Sequence, residues 1–294
     1  MKKLRHKLEY YSLAIFTALI RLLPLAAARF IARRLADIVW YAVPIRKNVV
    51  LANLAASFPE KSRRELSGIA HGAYTQFAQT MVELLFFPKL SAQDISQMTT
   101  IENREVLDNA LRRGKGAVLV GAHFGNWELM GAALAQAYPV SFVIGRQQNG
   151  KVDDLLNGYR LGKGIKLIPL KMALRGVLRA LKSNEFVAIL ADQDAHEDGA
   201  FVNFFGRPAS TPKGPAMFAM RAGCPLIMGT CVRRPGGKFS IIMDELPAPA
   251  AGDEETMITA YTAAFTTLLE SYTRENPGHW FWLHRRWKTR QVLN

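Results

Sequence analysis

The sequence predicts an α/β fold, a mostly parallel central sheet flanked by helices. Short apolar runs rich in β-branched residues occur at 117–120, 140–144 and 186–190, as expected for strands buried on both faces of a sheet. Helical patterns follow the first two runs, which is typical of strands in a parallel sheet. The chain has 294 residues and 49% hydrophobic content, enough to bury one large core.

The first run leads into the hexapeptide His123-Phe124-Gly125-Asn126-Trp127-Glu128, in which Asn126 is a natural N-cap for a helix. His123 therefore lies at the carboxyl end of a strand, where open α/β sheets bind ligands. We predict that a turn at 124–125 brings the Glu128 carboxylate to one ring nitrogen, so that the other nitrogen can act as a base toward a hydroxyl. No Ser or Cys adjoins His123, so the hydroxyl is expected to be the substrate's own. The alternative is a structural histidine beside an ordinary first-turn acid.

Other polar residues follow the later strands. Arg146 comes after the run at 140–144, Arg160 lies on the next helix, and Asp192 and Asp194 come directly after the run at 186–190. Carboxyl ends of parallel strands meet at one edge, so these side chains are expected beside the same crevice. Two acids so close repel each other unless cations or hydrogen bonds compensate. Metal binding by the two aspartates is the rival interpretation, disfavoured because no third ligand is apparent.

The formal net charge is +14 and the isoelectric point is about 10, which suits nucleic acid, anionic lipid headgroups or phosphorylated substrates. Basic residues accompany apolar helices at the N-terminus and tryptophans at 280–288, which favours a membrane surface over a nucleic-acid partner. The apolar run at 10–20 is shorter than a bilayer span of roughly 20 residues, so a tilted span and an interfacial helix both stay open. The two cysteines suit a reduced compartment, and no cleaved signal peptide is expected.

Three blocks of the sequence together resemble a known family: the hexapeptide at 123–128, the Asp-Gln-Asp at 192–194 with 201–206, and Trp-Leu-His-Arg-Arg-Trp-Lys at 282–288. They are similar to the late acyltransferases of lipid A biosynthesis, the lauroyl and myristoyl transferases of the lysophospholipid acyltransferase superfamily. The resemblance implies a glycerolphosphate-acyltransferase-like fold without cofactor or metal. We expect membrane-anchoring helices at 1–40 and a single acyltransferase domain at 41–294.

The activity implied by the resemblance is transfer of a fatty acyl chain from acyl-[acyl-carrier protein] or acyl-CoA to a hydroxyl of a phosphorylated glycolipid. A lipid A precursor is the expected acceptor, and the cytoplasmic face of the bacterial inner membrane is the expected location. His123 and Glu128 are the predicted catalytic residues, and the apolar run 201–205 is a candidate wall for the fatty chain. The predicted substrate-binding residues are Asn126, Arg146, Arg160, Asp192, Asp194, Arg285 and Arg286. Alternatives are a mannosylated phosphoinositide acceptor, or a non-catalytic basic protein that binds membranes or nucleic acid.

Overall fold

A computed structural model describes residues 2–291 and contains, within that range, eleven α-helices and nine β-strands. The helices are α1 (Lys2–Ile20), α2 (Leu25–Tyr41), α3 (Lys47–Ser57), α4 (Arg63–Leu85), α5 (Ala92–Met98), α6 (Arg104–Arg112), α7 (Trp127–Ala137), α8 (Gly150–Leu161), α9 (Ala173–Lys182), α10 (Gly214–Ala222) and α11 (Glu254–Glu275). The strands are β1 (Thr99–Glu102), β2 (Ala117–Gly121), β3 (Val140–Ile144), β4 (Lys166–Pro169), β5 (Phe186–Leu190), β6 (Ala200–Phe204), β7 (Arg207–Thr211), β8 (Leu226–Arg233) and β9 (Phe239–Glu245).

Seven strands form one sheet in the order β1-β9-β8-β2-β5-β3-β4. Every neighbouring pair is parallel except β8 and β9, which are antiparallel, so the predicted mostly parallel sheet is confirmed. β2 lies at the centre, and all five of its residues are buried. This position explains its continuous apolar sequence, because both faces of a parallel sheet are covered by other elements.

Each face of the sheet packs in a different hydrophobic cluster. Val118 and Val120 of β2 point into one cluster, whereas Ala117 and Leu119 point into the other, as the alternation of side chains along a strand requires. The second cluster also contains Phe86 and Phe87, only 2% and 0% exposed. Those two aromatic residues are therefore part of the core.

The N-terminal helices pack on different helices of the sheet domain, α2 on α4 and α1 on α8. The Arg29 guanidinium of α2 forms an ion pair with Glu83 at 2.5 Å, and Arg21 donates to the Leu85 carbonyl. On its outer side α1 exposes a stripe of large apolar side chains at helical spacing: Leu4, Leu8, Tyr11, Ile15 and Leu19. Among the described residues, none of the helices is both long enough and apolar enough to cross a bilayer. The predicted segments 1–40 and 41–294 each extend past the described residues. Residue 1 of the first and residues 292–294 of the second lie outside them.

The antiparallel pair of β6 and β7 packs on α11 and on the C-terminal tryptophans. Phe204 contacts Trp280 and stacks on Trp287, while Phe205 contacts Trp282, with ring centroids 5.2 to 5.7 Å apart. Phe204 and Phe205 are at most 5% exposed. The expectation that the run 201–205 forms a wall for a fatty chain is therefore wrong for these two residues, because other aromatic rings already cover them.

Candidate active site

His123 is held by Asp192, which lies 69 residues later in the chain. The Nδ1 atom of His123 is 2.8 Å from one carboxylate oxygen of Asp192. The other oxygen accepts hydrogen bonds from the His123 backbone N–H and from the Trp280 indole N–H, at 3.0 and 2.9 Å. His123 follows β2 and Asp192 follows β5, and these strands are parallel neighbours, so adjacent strand ends create the pair. Nδ1 is thereby kept as a donor, and Nε2 is left as the basic nitrogen.

The turn after His123 depends on Gly125. This residue has φ = +58°, and a Cβ there would lie 1.6 Å from the Cys231 carbonyl oxygen. A side chain is therefore excluded both by backbone conformation and by space. The Gly125 N–H donates to the His279 carbonyl, and the Phe281 N–H donates to the His123 carbonyl. The C-terminal segment thus fixes the loop that carries His123 through backbone hydrogen bonds.

The pKa of His123 lies above its ordinary value. Burial alone would lower this pKa, but the negative charge of Asp192 and its hydrogen bond to the ring outweigh burial, and Glu128 adds a smaller contribution. The pKa of Asp192 moves the opposite way: burial would raise it, but the His123 charge and the hydrogen bonds from His123 and Trp280 lower it. The pair therefore favours a positively charged imidazole beside an ionised carboxylate.

Glu128 does not hold the imidazole, which corrects the sequence-based prediction. Its carboxylate receives two hydrogen bonds from the Arg160 guanidinium, at 2.6 and 2.9 Å. The reason is geometric, since Glu128 occupies the first turn of α7 and points across to α8. The Glu128 and Arg160 side chains are only 4% and 13% exposed, so each depends on the other for charge compensation. The acid that holds the imidazole is Asp192, one of the residues that the sequence predicts to bind substrate.

The structure confirms Asn126 as the N-cap of α7, but the residue is not placed to bind substrate. It is 0% exposed, and its side-chain oxygen accepts from the Leu129 N–H at 2.9 Å. Its amide group donates to Glu83 at 2.6 Å, and its backbone N–H donates to the Cys231 carbonyl. Neither N–H donor is thus directed toward substrate. Among the described residues, the backbone N–H groups of Trp127 and Glu128, at the start of α7, have no acceptor.

Glu83 was not identified from the sequence. It is 1% exposed and receives hydrogen bonds from Asn126 and from two arginines, Arg29 and Arg233. The cluster joins α2, α4 and β8 to the cap of α7. The sequence signal for this residue is a single acid within an apolar helical pattern. Such an acid indicates a buried ion pair, because a glutamate is almost never fully buried unless it is paired.

The predicted residues near the C-terminus have different environments. The Asp194 side chain is 2% exposed and accepts from Thr289, so it anchors the C-terminal segment and is not placed to bind substrate. Arg286 is 1% exposed and donates to the Ser210 carbonyl and the Thr211 hydroxyl, and burial lowers its pKa to about 10. The prediction that Arg286 binds phosphate is therefore wrong. Arg146 and Arg285 are exposed, and for them substrate binding stays a prediction.

An apolar cavity lies between α7 and the sheet, beside the histidine. We call it the sheet cavity. Its atom-free space, counted together with the open solvent at its mouth, is about 600 Å³, and its lining is almost entirely apolar apart from Glu128 and Arg160. Its walls include Leu119, Trp127, Gly131, Leu134, Phe142, Ala188, Leu190 and Met243. Trp127 also contacts His123, with ring centroids 5.1 Å apart. One side chain, that of Trp127, therefore lies between the cavity and the imidazole.

Comparison with known proteins shows the family of this chain. Residues 1–289 match the model of the family described as bacterial lipid A biosynthesis acyltransferase. The chain belongs to that family. It is therefore an acyltransferase, as the resemblance implied.

Relatives with assigned activities extend over most of the chain. The lipid A biosynthesis lauroyltransferase of Escherichia coli is 29% identical over 255 residues, covering 83% of this chain and 80% of that protein. The phosphatidylinositol mannoside acyltransferase of Mycolicibacterium smegmatis is 26% identical over 246 residues, covering 78% and 79%. Among solved structures, the 1-acyl-sn-glycerophosphate acyltransferase of Thermotoga maritima aligns with a TM-score of 0.41 at 14% identity, covering 86% of this chain and 99% of that one.

Proposed function

We propose that this acyltransferase moves a fatty acyl chain from acyl-[acyl-carrier protein] or acyl-CoA to a hydroxyl of a phosphorylated glycolipid, a precursor of lipid A. The observation that carries the proposal is the His123–Asp192 pair beside an apolar cavity. Acyl transfer to an alcohol needs a base for the hydroxyl and an apolar site for the chain. The relative from Escherichia coli named a lauroyltransferase of lipid A biosynthesis supports the choice of acceptor.

Proton movement follows from the roles of the two imidazole nitrogens. Nε2 of His123 takes the proton of the acceptor hydroxyl as the oxygen attacks the thioester carbonyl. The imidazolium that forms is stabilised by Asp192 through Nδ1. The tetrahedral intermediate then collapses, the carbon–sulfur bond breaks, and the proton on Nε2 passes to the departing thiolate. The free N–H groups of Trp127 and Glu128 are the donors that we assign to the oxyanion.

The sheet cavity is the proposed site for the acyl chain of the donor. Each buried methylene contributes about 0.8 kcal/mol, so the depth of the cavity can select chain length. The Glu128–Arg160 pair closes one wall of the cavity. In this proposal Glu128 and Arg160 act together by keeping that wall of the cavity in place.

The exposed surface supports a location at the cytoplasmic face of the inner membrane. The apolar stripe of α1 lies on a helix that also carries Lys2, Lys3, Arg5 and Lys7. Apolar side chains combined with basic residues are typical of helices that lie in an anionic lipid interface. The exposed Arg146 and Arg285 are the proposed contacts for acceptor phosphates.

A second candidate acceptor is a mannosylated phosphoinositide. The Mycolicibacterium smegmatis relative, named a phosphatidylinositol mannoside acyltransferase, favours it. Both acceptors are phosphorylated sugars with fatty chains, so the same catalytic groups serve either one.

The test is mass spectrometry of glycolipids from cells that lack this protein. Loss of one ester-linked acyl chain from lipid A is expected, together with its restoration by the wild-type protein but not by His123→Ala. Removing a general base lowers turnover about 100- to 10,000-fold. An unchanged lipid A with an altered mannosylated phosphoinositide would select the second acceptor. Full restoration by His123→Ala would contradict the assignment of the base.

A further inference from the structure

A second apolar site lies between the N-terminal helices and α4, and we call it the helix groove. Its atom-free space, counted together with the open solvent at its mouth, is about 890 Å³, and none of its lining residues is charged. Its floor includes Ala36 and Val82, which are buried, and its mouth includes Leu35 and Ile45, which are 40% and 52% exposed. The groove is therefore an open, continuous apolar surface on the side of the molecule that carries α1 and α2.

The lining of the helix groove offers no free side-chain hydroxyl. The Tyr74 hydroxyl, the only side-chain polar atom in the lining, donates to the Ile45 carbonyl at 2.5 Å. A sugar, a phosphate or a peptide-like carrier arm would lose its hydrogen bonds to water here without replacement. The occupant that suits such a lining is a hydrocarbon chain.

The inner end of the helix groove lies one side chain from the catalytic base. Phe77 lines the groove and also lines the small space that contains His123. Phe77 contacts Phe281 at a centroid distance of 4.8 Å, and Phe281 lies 6.0 Å from the His123 ring. Trp127 lines the same small space and the sheet cavity. Two apolar sites therefore approach the imidazole through different aromatic side chains.

We propose that the helix groove binds a fatty chain of the acceptor lipid while the sheet cavity binds the chain of the donor. This inference rests on the proposed function, because only a lipid acceptor brings a second hydrocarbon chain to the reaction. The groove opens beside α1, whose exposed apolar stripe is the proposed lipid contact, so a bilayer lipid can enter it directly. The donor arrives on a water-soluble carrier and has no need of an entrance on that side.

The variant Ala78→Phe tests the proposal by filling the groove. Ala78 is a half-buried residue of the lining, and it is not part of the catalytic pair. The acceptors are synthetic phosphorylated glucosamine lipids with either tetradecanoyl or hexanoyl chains. Each methylene kept out of the groove weakens binding about fourfold. We therefore expect the KM for the tetradecanoyl acceptor to rise at least tenfold, with little change for the hexanoyl acceptor or in the donor chain-length profile.

A pair of charge variants tests the proposal independently, in case Ala78→Phe does not fold. Leu35→Glu puts a charge at the half-open mouth of the groove, and Ile38→Glu puts the same charge on α2 outside it, at a side chain 54% exposed. Only Leu35→Glu should raise the KM for the tetradecanoyl acceptor. Equal effects of the two charges, or a changed donor profile in Ala78→Phe, would overturn the proposal. If the wild-type enzyme acylates neither acceptor, the proposed function is contradicted, and the proposal that the groove binds an acceptor chain is contradicted with it.

Discussion

The Nδ1 atom of His123 lies 2.8 Å from Asp192, whereas Glu128, five residues away in sequence, is bound by Arg160. Proximity in sequence therefore does not decide which acid orients the base. Parallel pairing of β2 with β5 places Asp192 against the ring, and the first turn of α7 directs Glu128 toward α8. The His123–Asp192 pair and the Glu128–Arg160 ion pair therefore use different acids and can be tested separately.

Replacing Asp192 with asparagine should change the pH profile of kcat/KM. His123 must be neutral at Nε2 to accept a proton, so the rate rises as the pH increases through its pKa. Asp192 raises that pKa, and a neutral amide removes the negative charge. We therefore expect the acid limb of the profile to move to lower pH, and the plateau to fall about 100- to 10,000-fold. A stopped assay of product across a pH series measures both effects.

Glu128→Gln is the matched control for this profile. Glu128 also raises the pKa of His123, but its contribution is smaller than that of Asp192. The acid limb should therefore move less in Glu128→Gln than in Asp192→Asn. A larger shift in Glu128→Gln would contradict the assignment of Asp192 as the acid that holds the ring.

Arg160→Met should destabilise the fold because it leaves the Glu128 carboxylate buried without a cation. Breaking a buried ion pair from one side costs about 3–5 kcal/mol. The double variant Glu128→Gln, Arg160→Met removes both charges, so it should be more stable than Arg160→Met alone. Denaturant unfolding of the wild type and three variants gives the coupling energy. Purely additive losses would show that the two side chains do not depend on each other.

The sequence predicts correctly those features of the fold and the site that depend on local residue pattern. The buried strands, the N-cap at Asn126 and the position of His123 at a strand end all follow from residue spacing within a few turns of chain. The His123–Asp192 pair does not, because it depends on which strands are neighbours in the sheet. Arg286 shows the same limit: its basic sequence context indicated a surface, but carbonyl and hydroxyl acceptors on β7 bury it.

Phe142→Ala should lengthen the acyl chain that the enzyme prefers. The tip of the Phe142 ring fills the space beside Gly131, where an added Cβ would lie 2.0 Å from it, and both residues line the sheet cavity. Removing the ring extends the cavity, so donors with more methylenes should gain in kcat/KM relative to shorter ones. Competition among donors of several chain lengths, with products separated by mass, measures the preference.

Phe218→Ala is the control for lost packing. Phe218 is buried in the opposite hydrophobic cluster and is not among the residues lining the sheet cavity. Both variants should lose stability. Truncating a buried phenylalanine such as Phe218 costs about 3–5 kcal/mol, and the half-buried Phe142 should cost less. Only Phe142→Ala should change donor preference, and an equal change in Phe218→Ala would contradict the assignment of the cavity.

Membrane affinity should depend on the exposed apolar stripe of α1. Leu8 and Ile15 are both 61% exposed, so glutamate at these positions removes few contacts within the protein. Leu8→Glu with Ile15→Glu removes apolar area from the lipid contact and adds repulsion from anionic headgroups. We expect binding to vesicles of phosphatidylethanolamine and phosphatidylglycerol to weaken at least tenfold, as measured by co-sedimentation, with a melting temperature close to that of the wild type.

Gln93→Glu adds a negative charge at an exposed polar position and should leave binding nearly unchanged. If the double variant binds vesicles as tightly as the wild type, α1 is not the surface that contacts the membrane.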